Sequence, residues 1–194
     1  MAKFVLQELE IPGVALVRSD KFSDERGYFM ETWSKSQFAS LGLHADFVQD
    51  NQSLSRPRGT LRGLHFQREP HAQAKLIRVV TGAIFDVAVD LRPGSPTFGQ
   101  WCGAELTSED NDQLFIPRGF AHGFLTLHPD TIICYRVDAP YAPQSDSGIA
   151  WDDADIGVKW PVAGMELLLS DRDRRWPTLK AYREALDAVA RTVP

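Results

Sequence analysis

Short apolar runs punctuated by glycine, proline and aspartate dominate the chain: Gly13 to Val17, Gly27 to Trp33, Thr60 to Gln67, Lys75 to Val80, Ala83 to Leu91, Gly99 to Leu106, Gln113 to Ile116, Gly123 to Leu127 and Thr131 to Val137. Many short strands at this spacing predict an all-β sandwich or barrel. The clearest alternation is Phe85 to Leu91, where Phe85, Val87, Val89 and Leu91 face one way and Asp86, Ala88 and Asp90 the other. That second face is polar enough to border a cavity. Helical spacing is confined to two places. Ser34 can cap a short helix through Leu41 with Gly42 as its stop, and Thr178 to Val193 follows Pro177 with Leu179, Tyr182, Leu186 and Val189 on one stripe, suited to packing on a sheet. There is no internal repeat, low-complexity tract or linker, so residues 1–194 read as one domain.

Two of the strand-like segments carry chemistry. In Gly59-Thr60-Leu61-Arg62-Gly63-Leu64-His65-Phe66-Gln67, period two puts Leu61, Gly63, His65 and Gln67 on one face, and Lys75 shares a face with Ile77 and Val79 in the next run. Taken singly, His65 reads as a hydrogen-bonded core histidine and Lys75 as a chain that snorkels to solvent. Taken together, beside glycines that let a ligand approach, they favour a lined pocket. Composition narrows the occupant: 21 Lys+Arg against 26 Asp+Glu give a net charge of -5, with no global basic field for nucleic acid. A few local arginines remain available for an anionic small molecule. Cys102 and Cys134 sit in apolar text without metal or disulfide spacing, which fits reduced, buried thiols in a cytoplasmic protein. Met1 to Pro12 lacks a secretory apolar core, and no run reaches membrane-spanning length, so neither export nor membrane insertion is expected.

Read in order, Asp24-Glu25-Arg26-Gly27, Gln49-Asp50-Asn51, Leu61 to Gln67, Asp86 to Asp90, Ser95-Pro96-Thr97-Phe98-Gly99, Ile116 to Phe124, Ile149 to Asp153 and Leu169 to Asp173 resemble the dTDP-4-dehydrorhamnose 3,5-epimerase family. All but the C-terminal helix is spanned by such motifs. The resemblance implies a cupin jelly-roll with short helices and a C-terminal helix. It also implies a homodimer whose N-terminal strands join the partner's sheet, and a dTDP-linked 4-keto-6-deoxyhexose as substrate. The implied reaction inverts carbons 3 and 5, which flank the ketone, through an enolate.

By the same resemblance His65 is the base, Asp173 its orienting carboxylate (with Asp171 as the neighbouring competitor), Lys75 the enolate stabiliser and Tyr135 the acid on the other face. Arg26 and Arg62 resemble the diphosphate-binding arginines, and Tyr141 the aromatic that stacks on thymine. Glu31, Gln49, Asp50, Asn51 and His122 match positions around nucleotide and sugar. Asp146 stands where the family often has Glu, and Arg172 where it often has Lys; both preserve charge and change reach. Strict alternation turns Arg62 away from His65, so either the strand is bulged or the ligand wraps an edge. Metal-binding cupins use two histidines one residue apart, a glutamate and a third histidine. Here His65 and His122 keep two of those places, Gln67 replaces the second histidine, no glutamate lies near Lys75, and His71 follows Pro70 in a turn. The site therefore reads as free of metal and cofactor. The competing expectations are an epimerase of one centre only, a metal-dependent cupin oxygenase, and a non-catalytic sugar-nucleotide binder.

Overall fold

The computed structural model describes residues 3–192, with side chains through residue 188. Thirteen strands and two α-helices occur in this range: β1 (Phe4–Glu8), β2 (Ala15–Ser19), β3 (Lys21–Asp24), β4 (Gly27–Met30), α1 (Lys35–Ser40), β5 (Gln49–Ser55), β6 (Leu61–Gln67), β7 (Lys75–Thr81), β8 (Ala83–Asp90), β9 (Trp101–Thr107), β10 (Gln113–Ile116), β11 (Phe120–Thr126), β12 (Thr131–Val137), β13 (Asp146–Gly148) and α2 (Leu179–Thr192). Six of the strands form a sheet in the order β1-β2-β10-β7-β12-β5, five form a second in the order β13-β6-β11-β8-β9, and β3-β4 stand apart as a hairpin. The strands pair antiparallel throughout, and the non-sequential strand order is that of a jelly-roll sandwich.

Alternation along the strands sorts side chains into three apolar layers. Ile77, Leu114 and Ile133 of the larger sheet meet Ile84, Leu106 and Phe120 of the smaller one between the sheets. The outer face of the smaller sheet buries Val87, Val89, Leu91 and Leu64 against Ile149, Ile156 and Leu179, so the expected two-faced reading of β8 holds. The outer face of the larger sheet buries Phe4, Val17, Leu76 and Phe115 under Phe38 of α1. Helix α2 starts as its sequence predicts, with Thr178 Oγ1 accepting the Ala181 N–H at 3.2 Å. Tyr182 packs edge-on to Phe66 at 5.2 Å, fastening the helix to the sheet. Of the predicted stripe, the Val189 side chain and Val193 lie outside the described residues. Ser34 sits at the N-cap of α1, yet its hydroxyl makes no cap bond.

Strands β1, β3, β5 and β13 lie outside the apolar runs singled out in the sequence. For β5 (Gln49–Ser55) the reason is its location: its alternate positions Gln49, Asn51 and Ser53 are partly buried, whereas Asp50, Gln52 and Leu54 are not covered to the same degree. Cys102 is buried between the sheets, but Cys134 is only half-buried, with its Sγ 3.5 Å from Gln52 Oε1, and the two thiols are unpaired.

Candidate active site

The site begins with a bulge. Strand β6 pairs with β11 so that His65 lies opposite His122 and Arg62 opposite Phe124, with two residues, Gly63 and Leu64, between them on β6 against the single Gly123 on β11. Arg62 and His65 thereby point into the same space between the sheets, while Leu61 and Leu64 turn outward into apolar clusters. The expectation that Leu61 shares the face of His65 is thus corrected, and of the two options for Arg62 the bulge is the one adopted. Glycine makes it possible: Gly63 has φ +143°, and a Cβ there would lie 2.6 Å from Gly123 Cα.

His65 Nε2 contacts Asp173 Oδ1. The carboxylate sits at the start of a 3-10 turn, Asp173–Arg175, and its other oxygen accepts the Ser170 hydroxyl at 2.8 Å; Ser170 Oγ in turn accepts the Asp173 backbone N–H at 3.1 Å. Burial pushes the Asp173 carboxyl up, but the hydrogen bond and charge of His65 and the hydrogen bond of Ser170 outweigh it, leaving Asp173 below the usual carboxylate range. Asp171 is exposed, so of the two neighbouring aspartates only Asp173 reaches the imidazole. The ring of Trp176 meets His65 edge-on at 6.0 Å and closes that side.

Facing this pair from the other sheet, Lys75 opens β7 on the same inner face as Ile77 and Val79. Its strand neighbours Ile116 and Val137 are apolar, and the side chain is buried. Burial pushes the ammonium down from 10.5 to about 8, against the opposing pull of Asp86 and Asp146. Tyr135 stands on β12 beside Ile77, packed against the inter-sheet core, with burial raising its phenol and the charge of Arg62 lowering it. Arg62 crosses toward the same sheet, its Nε donating to Ser55 Oγ at 3.3 Å. Gln49 donates to Asn51 at 2.7 Å on the same inner face of β5. His122 is buried, Nε2 lying 2.6 Å from Asp86 Oδ1; burial, helped by the charges of Lys75 and His65, lowers its pKa against the pull of Asp86.

At the mouth, Tyr141 Oη donates to Asp146 Oδ2 at 2.9 Å, a bond that raises the phenol pKa. Arg172 pairs with the same carboxylate and stacks its guanidinium over Trp176 at 4.9 Å. The shorter Asp146 and the longer Arg172 therefore meet each other. Gln67, at the place of a metal-ligating histidine in other cupins, is fully engaged with backbone: its amide donates to His71 O at 2.6 Å and Pro140 O at 3.2 Å and accepts the Ala142 N–H at 2.7 Å.

Three of the predicted residues are not brought into this cluster. Asp50 alternates to the outer face of β5, where it pairs with Arg136 at 3.5 Å. Arg26 lies in the turn of the β3-β4 hairpin, paired with Asp24, and Glu31 accepts Gln37 at 3.0 Å just before α1. Asp86 and Ser170 belong to the cluster without having been singled out. For Asp86 the polar face of β8 is the available signal; for Ser170 the sequence offers none.

The chain as a whole matches known proteins. A family model described as dTDP-4-dehydrorhamnose 3,5-epimerase matches residues 8–181. A relative of that name from Methanothermobacter thermautotrophicus is 49% identical over 181 residues, covering 93% of this chain and 97% of its own. The crystal structure of the Bacillus anthracis dTDP-4-dehydrorhamnose 3,5-epimerase, with TDP and PPi bound, is 47% identical and superposes with a TM-score of 0.87 over 91% of this chain and 99% of its own. The dTDP-6-deoxy-D-glucose-3,5-epimerase of Legionella pneumophila, in complex with dTDP-4-keto-L-rhamnose, superposes at 0.90 with 38% identity over 94% of this chain and 96% of its own. The chain belongs to the dTDP-4-dehydrorhamnose 3,5-epimerase family.

Proposed function

We propose that this protein, as a single-domain cytoplasmic enzyme, converts dTDP-4-dehydro-6-deoxy-D-glucose to dTDP-4-dehydro-L-rhamnose by inverting carbons 3 and 5. The observation that carries the mechanism is that His65 and Tyr135 project toward one space from opposite sheets. A hexose ring held between them loses a proton to one side and receives one from the other, which is inversion. Both carbons flank the ketone, so each proton abstraction leaves an enolate whose charge collects on the ketone oxygen. Lys75 supplies the positive charge there, in a site dry enough to strengthen it. Asp173, fixed by Ser170, holds the imidazole so that its second nitrogen faces the sugar and stabilises the imidazolium once it forms. Arg62 binds the diphosphate, and Tyr141 stacks on the base. His122, Asn51, Gln49, Asp146 and Arg172 frame sugar and nucleotide.

A homodimer accounts for the residues left outside the cluster. The β3-β4 hairpin belongs to neither main sheet and exposes Phe22, Tyr28 and Phe29, a patch that a second copy would cover. N-terminal strands added to the partner's sheet would carry Arg26 and Glu31 toward the partner's site. The reading of the site as metal-free rests on Gln67, whose polar atoms are occupied by backbone, and on the buried cation Lys75. Among the described residues no helix is long and apolar enough to cross a membrane. Incubation with dTDP-4-dehydro-6-deoxy-D-glucose and proton NMR of the sugar tests the reading: the coupling pattern of the L-rhamno product is expected. Inversion at one carbon only would make it a single-centre epimerase, and activity that vanishes with chelator and returns with a divalent ion would favour a metal enzyme.

A further inference from the structure

Asp86 has no accessible surface, yet only one of its oxygens is used. His122 occupies Oδ1 at 2.6 Å, and Oδ2 is buried with no hydrogen-bond partner, the only anionic atom in that condition among the described residues. A carboxylate is not left half-satisfied in a dry interior without compensation. Two states resolve this: a neutral acid that donates to His122, or an anion whose free oxygen is balanced by a nearby cation. The surroundings favour the anion. His122 is itself buried and favours its neutral form, which donates one N–H to a carboxylate. Lys75 is buried on the facing sheet with no hydrogen bond or ion pair among the described residues, and the charged group acting most strongly on it is Asp86.

We infer that Asp86 is a positioning residue for the epimerisation: it is the buried counter-charge that keeps the Lys75 ammonium protonated where the enolate oxygen forms, with His122 holding the carboxylate in place. The inference rests on the reading of Lys75 as the enolate stabiliser. Its logic is electrostatic. An ammonium in this setting, between the apolar neighbours Ile116 and Val137, tends to lose its proton and with it the ability to stabilise an oxyanion. The ionisable groups that act on it from the other strands are Asp86 on β8 and Asp146 on β13, which favour the charge, and His122 on β11, which opposes it if protonated; His65 on β6 acts on His122 in the same sense. Asp146 is committed to Arg172 and Tyr141, so Asp86 is the anion that remains for Lys75.

The test is the titration of Lys75 itself, followed by NMR of carbon-labelled lysine in wild type and in Asp86→Asn, which keeps the size and the acceptor for His122. The chain has six lysines, so the signal is assignable by comparison with Lys75→Arg. The midpoint is expected near 8 in wild type and lower by about one pH unit or more in Asp86→Asn. The alkaline limb of the kcat profile should move by the same amount. A folded Asp86→Asn protein with an unchanged Lys75 midpoint overturns the inference. If that variant does not fold, the wild-type Asp86 carboxyl carbon decides: it should be ionised at neutral pH and register a step at the Lys75 midpoint, whereas a protonated carboxyl or the lack of a step overturns it. Lys75 titrates whether or not the sugar is turned over, so failure here is distinguishable from failure of the proposed reaction.

Discussion

Replacing Lys75 by methionine removes a buried charge and leaves a side chain of similar length, and the consequences for activity and stability run in separable directions. In the folded protein burial holds the Lys75 pKa at about 8, against 10.5 in the unfolded chain. At about 1.4 kcal/mol per pH unit, this difference makes the wild-type fold about 3 kcal/mol less stable below pH 8 than it would be with an unshifted lysine. The sign follows from proton binding. Between pH 8 and 10.5 the unfolded chain holds the proton that the folded chain has lost, so wild-type stability rises with pH through this window, and the Lys75→Met variant lacks that rise. Below pH 8, where wild-type Lys75 is charged, the variant also leaves Asp86 without its cation, which lowers its stability. The pH dependence of the difference isolates the lysine. Urea unfolding of both proteins at matched concentration from pH 7 to 11 should show wild type gaining about 3 kcal/mol on the variant. Parallel curves, or a difference that moves the other way, would refute the buried-ammonium account. The same variant should lose on the order of 10²- to 10³-fold in kcat, the scale of a deleted oxyanion donor.

Three further outcomes are expected. Asp173→Asn keeps the shape of the His65 partner but not its charge, and should lower kcat on the order of 10²-fold or more with little change in nucleotide affinity, checked by calorimetry with dTDP. Tyr135→Phe removes the acid and leaves the base, so deuterium from solvent should enter beside the ketone with retention of configuration; normal inversion at both centres would make Tyr135 structural. Gly63→Ala forces a Cβ to within 2.6 Å of Gly123 Cα, and should cost about 1–3 kcal/mol in thermal or urea unfolding and misalign Arg62 with His65.

The parts of the fold legible in the sequence are those where one face of a strand is apolar. Strand β8 announces itself because Val87, Val89 and Leu91 pack outward while Ala88 faces the other sheet. Strand β5 does not, because its inner face carries Gln49, Asn51 and Ser53 toward the site, and a strand that lines a polar cavity has the same text as a loop. Family resemblance points to His65, Lys75, Tyr135 and Asp173 as candidates, but their placement relative to one another is not legible in the sequence. It depends on the bulge at Gly63, which alternation alone cannot express, and on Asp173 returning from 108 residues further along the chain. Asp50 is the miss on that strand: family position groups it with Gln49 and Asn51, and only once β5 is known as a strand does alternation turn it outward, to Arg136. Asp86 was visible as a polar position on a buried strand, but its partners His122 and Lys75 come from two other strands, and only the packed sandwich shows them together.

The central claim is that His65 removes the protons flanking the ketone and that Tyr135, from the opposite sheet, completes inversion. Its most direct test is incubation of dTDP-4-dehydro-6-deoxy-D-glucose with wild type and His65→Ala in deuterated water, with the sugar read by NMR. Wild type should place deuterium at both carbon 3 and carbon 5 of an inverted product, and His65→Ala should place it at neither while still binding dTDP. Exchange at wild-type rates in His65→Ala would contradict the assignment of the base and the mechanism built on it.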